Sequence, residues 1–210
     1  MSFKKNKYLV IKKAISPDLA DFCYTYFLNK RRVAKFLFEE KYLHPYETMF
    51  GVWNDAQVPN TYSHYADLVM ETLLLALIPR MEKETGFKVY PTYSYARIYK
   101  NGDVLHRHSD RFSCEISTTL NLGGDPWPIY LEPSGKKDMA GLRIDLQPGD
   151  MLIYRGCDLE HWRETFEGQN CGQVFLHYNS QNSKDAEKNK FDGRPMVGLP
   201  GDFSKDKITK

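Results

Sequence analysis

The feature that most constrains this chain is a change of hydrophobic period at Gly86. Before it, apolar residues recur at helical spacing; after it come short aromatic and β-branched runs separated by turn formers. Lys88–Lys100 (KVYPTYSYARIYK) is the longest run, and Asn101-Gly102 behind it is a strong hairpin signal. Cys114–Leu122, Ile129–Leu131, Leu142–Leu146, Met151–Tyr154 and Gln173–Tyr178 are further strand candidates. Between them lie Gly123-Gly124-Asp125, Pro133-Ser134-Gly135, Pro148-Gly149-Asp150 and Glu167-Gly168-Gln169-Asn170, all turn formers. Helices followed by many short strands predict an α+β chain, its helices packed on one face of a sandwich or jelly-roll barrel.

The N-terminal part reads as follows. Lys7–Lys12 predicts a strand, and Ser16-Pro17 an N-cap followed by proline at the first helical position. Leu19, Phe22, Cys23, Tyr26 and Phe27 then keep helical spacing. No period dominates Arg31–Asn60, which reads as irregular structure with a strand near Met49–Trp53. Ser63 is predicted to cap a second helix that runs through Leu68, Leu73, Leu74 and Leu77 to about Glu84. Pro79 should kink or divide that helix, and Gly86 should end it. One domain is expected over residues 1–180, its helical part within 1–86, followed by a polar, weakly ordered tail over 181–210. The 31–60 segment and the tail are candidate lids.

Composition narrows the function classes. A chain of 210 residues is long enough to bury one core without staples. Lys and Arg number 29 against 27 acidic residues, with no basic stripe, so no nucleic-acid partner is expected. Met-Ser-Phe-Lys-Lys-Asn carries no apolar signal region, and the longest apolar run, Leu73–Ile78, is far too short to span a bilayer. A cytoplasmic protein without a membrane partner is the reading. Cys23, Cys114, Cys157 and Cys171 lack close metal-site spacing and read as free packing thiols.

Chemistry concentrates in His106-Arg107-His108-Ser109-Asp110. His108 and Asp110, two residues apart, project to one face of an extended segment. Far downstream, a tight turn at Pro148-Gly149-Asp150 leads into an apolar strand, and His161 follows its last residue, Tyr154, by seven positions. Two histidines and one carboxylate take one face of an octahedral ion and leave the rest open, as non-haem Fe(II) chemistry requires. His106 shares the parity of His108 and is the rival ligand, read as a partly exposed neighbour. His177, among Phe175, Leu176 and Tyr178, reads as a hydrogen-bonded core histidine; His44 and His64 read as structural.

From Ala96 to Asp110 the chain resembles the 2-oxoglutarate- and Fe(II)-dependent oxygenases, in particular the prolyl-4-hydroxylase-like branch. The pattern is Arg97, Tyr99, Gly102 and then His108-x-Asp110, with the glycine six residues before the first histidine. It resumes at Thr118-Thr119-Leu120-Asn121-Leu122 and at Pro148 through His161, so the resemblance covers about Tyr95–Tyr178.

That resemblance implies a double-stranded β-helix with His108, Asp110 and His161 as catalytic iron ligands. It implies Fe(II) as cofactor, 2-oxoglutarate and O2 as co-substrates, and Tyr99 in the 2-oxoglutarate pocket. It further implies hydroxylation of an unactivated C–H bond, on a prolyl or other peptide side chain or on a small molecule, with release of succinate and CO2. One position departs from the pattern. The branch usually carries Lys or Arg nine or ten residues past the last histidine; here Asn170 and Cys171 stand there. Arg163 is the nearest guanidinium and is favoured for the distal carboxylate, with Arg97 and Gln173 as further candidates. Two other readings stay open: a non-catalytic metal-binding or structural β-barrel module, and a cupin-like metal enzyme that does not use 2-oxoglutarate.

Overall fold

Alternation along the strands builds two opposed layers. The computed structural model describes residues 2–136 and 139–203. Among them the strands are β1 (Tyr8–Ile11), β2 (Tyr62–Tyr65), β3 (Val89–Lys100), β4 (Leu105–His108), β5 (Ile116–Gly124), β6 (Ile129–Leu131), β7 (Leu142–Ile144), β8 (Met151–Tyr154), β9 (His161–Arg163) and β10 (Asn170–Ser180). They pair antiparallel in a major sheet of order β1-β8-β5-β10-β3-β2 and a minor sheet of order β4-β9-β6-β7. The architecture is a double-stranded β-helix.

The helices are α1 (Phe3–Asn6), α2 (Pro17–Glu39), α3 (Leu68–Ala76) and α4 (Ile78–Thr85). One face of the major sheet packs on them: Ala96, Ile98, Leu120, Leu122, Met151, Ile153, Val174 and Leu176 share a core with Phe27, Met70, Leu74 and Met81. The intervening residues, such as Arg97, Tyr99, Thr119, Tyr154 and Gln173, belong to the other face by the two-residue period of a strand. That face looks at the minor sheet. Ile129, Leu131, Ile144 and Leu152 fill one end of the space between the sheets with apolar side chains. No helix among the described residues is long and apolar enough to cross a membrane.

Ser16 caps α2 by accepting from the Leu19 amide at 3.2 Å, with Pro17 in the first turn. The helix then continues to Glu39, where the sequence suggested irregular structure from Arg31. Ala20, Cys23, Phe27 and Ala34 keep a buried stripe, but exposed Val33 and Phe36 on the outer face blur the period. Ser63 caps no helix. Tyr62–Tyr65 instead forms an edge strand on β3, and Asp67 caps α3 by accepting from the amides of Val69 (3.0 Å) and Met70 (3.1 Å). An Asx cap of this kind satisfies amides that the first helical turn leaves free. The helical run divides at Leu77, two residues before Pro79, and Gly86 closes α4 at φ +71°. Near Met49–Trp53 there is a single bridge, Val52 to Ser63.

Residues 181–203 return to the domain. The Arg194 guanidinium is fully buried and spends its donors on the Glu71 carboxylate (2.7 and 3.3 Å) and on the carbonyls of Thr92, Phe191 and Leu199. Asp192 pairs with both terminal nitrogens of Arg111 (2.9 and 2.7 Å) and accepts from Tyr65 Oη at 2.8 Å.

Candidate metal centre

A β-bulge decides which histidine enters the cleft between the sheets. Strands β4 and β9 pair as Leu105↔Arg163 and His108↔His161, with the register shifting between the two pairs. The extra residue breaks the two-residue parity. Leu105 and His108, three apart, therefore both line the cleft, while His106 is exposed. His106, which shares the parity of His108 in sequence, is turned out of the cleft by the bulge.

His108, Asp110 and His161 present donor atoms that all lie within 4.8 Å of one another. Asp110 Oδ1 is 3.7 Å from His108 Nε2 and 3.6 Å from His161 Nε2. Both rings are aimed by their far nitrogens: His108 Nδ1 bonds the His106 carbonyl (2.7 Å) and His161 Nδ1 the Leu159 carbonyl (3.1 Å). A carbonyl only accepts, so each Nδ1 carries the proton and each Nε2 its lone pair. Asp110 Oδ2 accepts from Ser117 Oγ at 2.6 Å, and the Asp110 amide donates to the Gly156 carbonyl at 2.8 Å.

The protonation states suit a cation. Burial pushes the Asp110 carboxyl up, but the nearby His161 and His177 rings and the Ser117 hydroxyl outweigh it and hold it well below the usual carboxylate range. Burial, and then His161, lower the His108 pKa. An ionised carboxylate beside a neutral imidazole is what a divalent ion requires of its ligands.

The cleft holds about 310 Å³, and its walls include Tyr93, Tyr95, Tyr99, Tyr154 and Phe175 besides the three candidate ligands. Two buried guanidiniums approach it with opposite electrostatics. Arg97, 1% exposed on β3, is ion-paired with Asp55, which also accepts from Tyr95 Oη. Its Nη1 donates to Tyr99 Oη and to Gln57 Oε1, both at 3.2 Å, and Gln57 Nε2 reaches 3.1 Å from His108 Nε2. Arg97 is thus neutralised from within the protein.

Arg163 is not. It is also 1% exposed, two residues beyond His161 on the same face of β9. Nη1 donates to the Trp127 carbonyl and Nη2 to Thr119 Oγ1 (3.3 Å), its Cζ lies 5.0 Å from the Trp127 ring centroid, and Nε has no partner. Among the described residues no carboxylate pairs with it. Burial pushes its pKa down, with Tyr99, Tyr154 and Cys171 as electrostatic neighbours. A dry, unpaired guanidinium is costly, and an anionic ligand is the natural partner for it. Gln173 joins Arg163 through Thr119: its Oε1 accepts from Thr119 Oγ1 at 3.1 Å, and its Nε2 donates to Cys171 Sγ at 3.2 Å.

Several site residues carried little sequence signal. Ser117 and Thr119 are hydroxyls on β5 whose neighbours from Ile116 to Leu122 are all buried. Polar residues at alternate positions of a buried strand were the clue. Asp55 and Gln57 sit in the 51–61 segment, whose sequence has no period. Gly156 was silent: a Cβ there would overlap Asp110 Oδ2, the Cys114 carbonyl and Ser117 Oγ. His177, read as a core histidine, is 6% exposed and bonds Ser117 Oγ through Nδ1 at 3.1 Å, and it faces the cleft. Burial depresses its pKa to about 4.

No protein-family model matches the chain, and no curated protein matches it by sequence. Solved structures do match by fold. A prolyl-4-hydroxylase from Pseudomonas putida superposes with a TM-score of 0.58 at 12% identity, covering 86% of this chain and 96% of its own. HygX from Streptomyces hygroscopicus, with nickel and 2-oxoglutarate bound, gives 0.58 at 15% identity and covers 94% of both chains. The epimerase SnoN from nogalamycin biosynthesis, described as non-heme and alpha-ketoglutarate-dependent, gives 0.59 at 10% identity, covering 85% of this chain and 80% of its own. At these identities the likeness is one of fold.

Proposed function

We propose that the chain is an Fe(II)- and 2-oxoglutarate-dependent oxygenase. The observation that carries this reading is Arg163, a buried guanidinium without a carboxylate partner among the described residues, two residues beyond His161 on one strand and so beside a His-Asp-His donor set whose lone pairs converge. A keto diacid would answer both features at once, one end meeting the metal and the other meeting Arg163. The donor set, neutral imidazole plus ionised carboxylate on one face, fits Fe(II) with open positions.

In this reading His108, Asp110 and His161 hold the metal. Ser117 keeps Asp110 Oδ2 engaged, so that Oδ1 is directed to the ion. Arg163 binds the distal carboxylate of 2-oxoglutarate beside Thr119, which Gln173 orients, and Tyr99 walls the pocket. When bound, Fe(II) and the keto acid supply O2 activation and oxidation of an unactivated C–H bond, with succinate and CO2 released. Asp55 and Gln57 line the cleft from the 51–61 segment, held there by their contacts to Arg97.

The substrate bond is an aliphatic C–H, and hydroxylation of a prolyl or other peptide side chain is the outcome we favour. The cleft lies at the small end of ligand-pocket volumes, which suits a side chain or a compact molecule. The fold itself hosts a prolyl-4-hydroxylase and an epimerase alike, so the support for hydroxylation comes from the sequence pattern around His108. Four free thiols support a reducing, cytoplasmic setting.

The test is anaerobic addition of Fe(II) and 2-oxoglutarate, followed by the visible metal-to-ligand charge-transfer band. The wild-type protein should show it, and His108→Ala and Asp110→Ala should not. A wild-type protein without the band would sink the proposal. Succinate release that depends on 2-oxoglutarate separates this reading from a metal enzyme that uses no keto acid.

A further inference from the structure

Asp110 belongs to two clusters. Besides the donor set described above, its carboxylate, the Cys114 thiol and a ring nitrogen of His177 all lie within 4.8 Å of one another. These groups come from separate parts of the fold: the short turn Phe112–Cys114, the residues after β4, and strand β10. Cys114 is 3% exposed and His177 6%, yet both line the cleft. The two clusters gather around one carboxylate. Oδ1 faces His108 and His161, whereas Oδ2 is bonded by Ser117, which also touches His177.

The oxygenase reading uses neither Cys114 nor His177. A neutral imidazole always keeps one ring nitrogen with a lone pair, and Ser117 is the only hydrogen-bonding partner of the His177 ring among the described residues. The Cys114 sulfur contacts Tyr93 Oη at 3.0 Å, with either atom able to donate. Sulfur, imidazole and carboxylate make a mixed set that favours thiophilic Zn2+ over harder ions, with a fourth tetrahedral position left for water.

We propose that Asp110, Cys114 and His177 form a second cation site, selective for a thiophilic divalent ion such as Zn2+, that competes with the first site for Asp110. Binding replaces the S–H bond of Cys114 with an S–metal bond and releases that proton to solvent, with no redox change. Because the carboxylate is shared, an ion in the second site draws Asp110 away from His108 and His161. The cleft therefore carries its own inhibitory site, built from the ligand that the first site cannot spare.

Titration of the metal-free full-length protein with Co2+ as the spectroscopic stand-in for Zn2+ tests this directly. The wild-type protein should develop a thiolate-to-cobalt charge-transfer band that Zn2+ abolishes. Cys157→Ser and His108→Ala should keep the band, Cys114→Ser should lose it, and His177→Gln should need about tenfold more Co2+ to reach it. Absence of a thiolate band in the wild-type protein at saturating Co2+ overturns the proposal, whatever the variants do. Persistence of the band in Cys114→Ser overturns it equally, by placing the thiolate elsewhere. The Fe(II)–2-oxoglutarate band is a separate readout, so failure of the oxygenase reading is distinguishable from failure of this one.

Discussion

Asp110 and Gly156, 46 residues apart in sequence, are in backbone and side-chain contact at the centre of the site. The Asp110 amide donates to the Gly156 carbonyl at 2.8 Å, and the Gly156 α-carbon packs so closely on Asp110 Oδ2 that no Cβ fits. This contact ties the turn after β8 to the residues after β4, and so sets where the carboxylate points. Gly156→Ala should displace Asp110 and reduce metal affinity, while the distant helix-sheet core stays intact. Metal titration alongside far-ultraviolet circular dichroism checks it; unchanged affinity would show that Asp110 can shift without loss.

Ser117 acts on the metal only through Asp110. Its loss leaves Oδ2 without its 2.6 Å donor and frees the carboxylate to rotate. Ser117→Ala should weaken metal affinity by roughly 10- to 100-fold, the usual cost of removing a partner that orients a ligand. Anaerobic calorimetric titration with Fe(II) reads this. An affinity within about twofold of wild type would remove Ser117 from the positioning role.

Arg163 should separate stability from binding. Among the described residues it is a buried cation without a carboxylate partner, so Arg163→Met should be neutral or stabilising. The same change should cost about 2–5 kcal/mol of 2-oxoglutarate binding, or roughly 30-fold to several thousand-fold in affinity. Thermal melts with and without 2-oxoglutarate give both answers, because ligand raises the midpoint only where it binds the native state. An equal ligand-induced shift in wild type and variant would refute the assignment.

Glu71 and Arg194 form a fully buried pair, 0% exposed on both sides, that fastens the 190–200 segment to α3. Glu71→Ala leaves the guanidinium buried and unpaired, and should lower unfolding free energy by about 3–5 kcal/mol. Replacing both residues together by Leu and Met should cost much less than that. Urea unfolding of the two variants tests the contrast.

Acid should destabilise the metal-free protein through His177 before it does so through Asp110. The native pKa of His177 is about 4, so the unfolded chain binds the extra proton below about pH 6.5 and the native state does not. Stability from this group is present above pH 6.5 and is lost as pH falls towards 4, by on the order of 3 kcal/mol at most. Asp110, whose native pKa is depressed, adds a loss that begins only as pH approaches the ordinary carboxylate value. His177→Gln should flatten the first part of the profile, measured by denaturant unfolding across that range. A profile unchanged by the substitution would assign the acid sensitivity to other groups.

Local chemistry made much of the fold legible in the sequence. The change of period at Gly86, the turn formers between runs and the alternation of Tyr95, Arg97 and Tyr99 against Ala96 and Ile98 are properties of single segments, set by backbone geometry and steric preference. They pointed to an α+β chain with a sandwich or jelly-roll core, and the resemblance around His108 chose the jelly-roll and singled out His108, Asp110 and His161. The end of α2 and the cap of α3 were not legible, because exposed Val33 and Phe36 obscured one period and Asp67 outcompeted Ser63 as a cap.

Tertiary structure alone decided the rest. A bulge against β9 chose His108 over His106; pairing with Asp55 removed Arg97 from the list of free cations and left Arg163 on it; and Gly156, Ser117, Cys114 and His177 converged on one carboxylate. Each of these depends on which charges are desolvated together and which are compensated, by groups dozens of residues apart. The sequence names the ionisable groups. Only their burial and neighbours determine which of them remain available to a ligand.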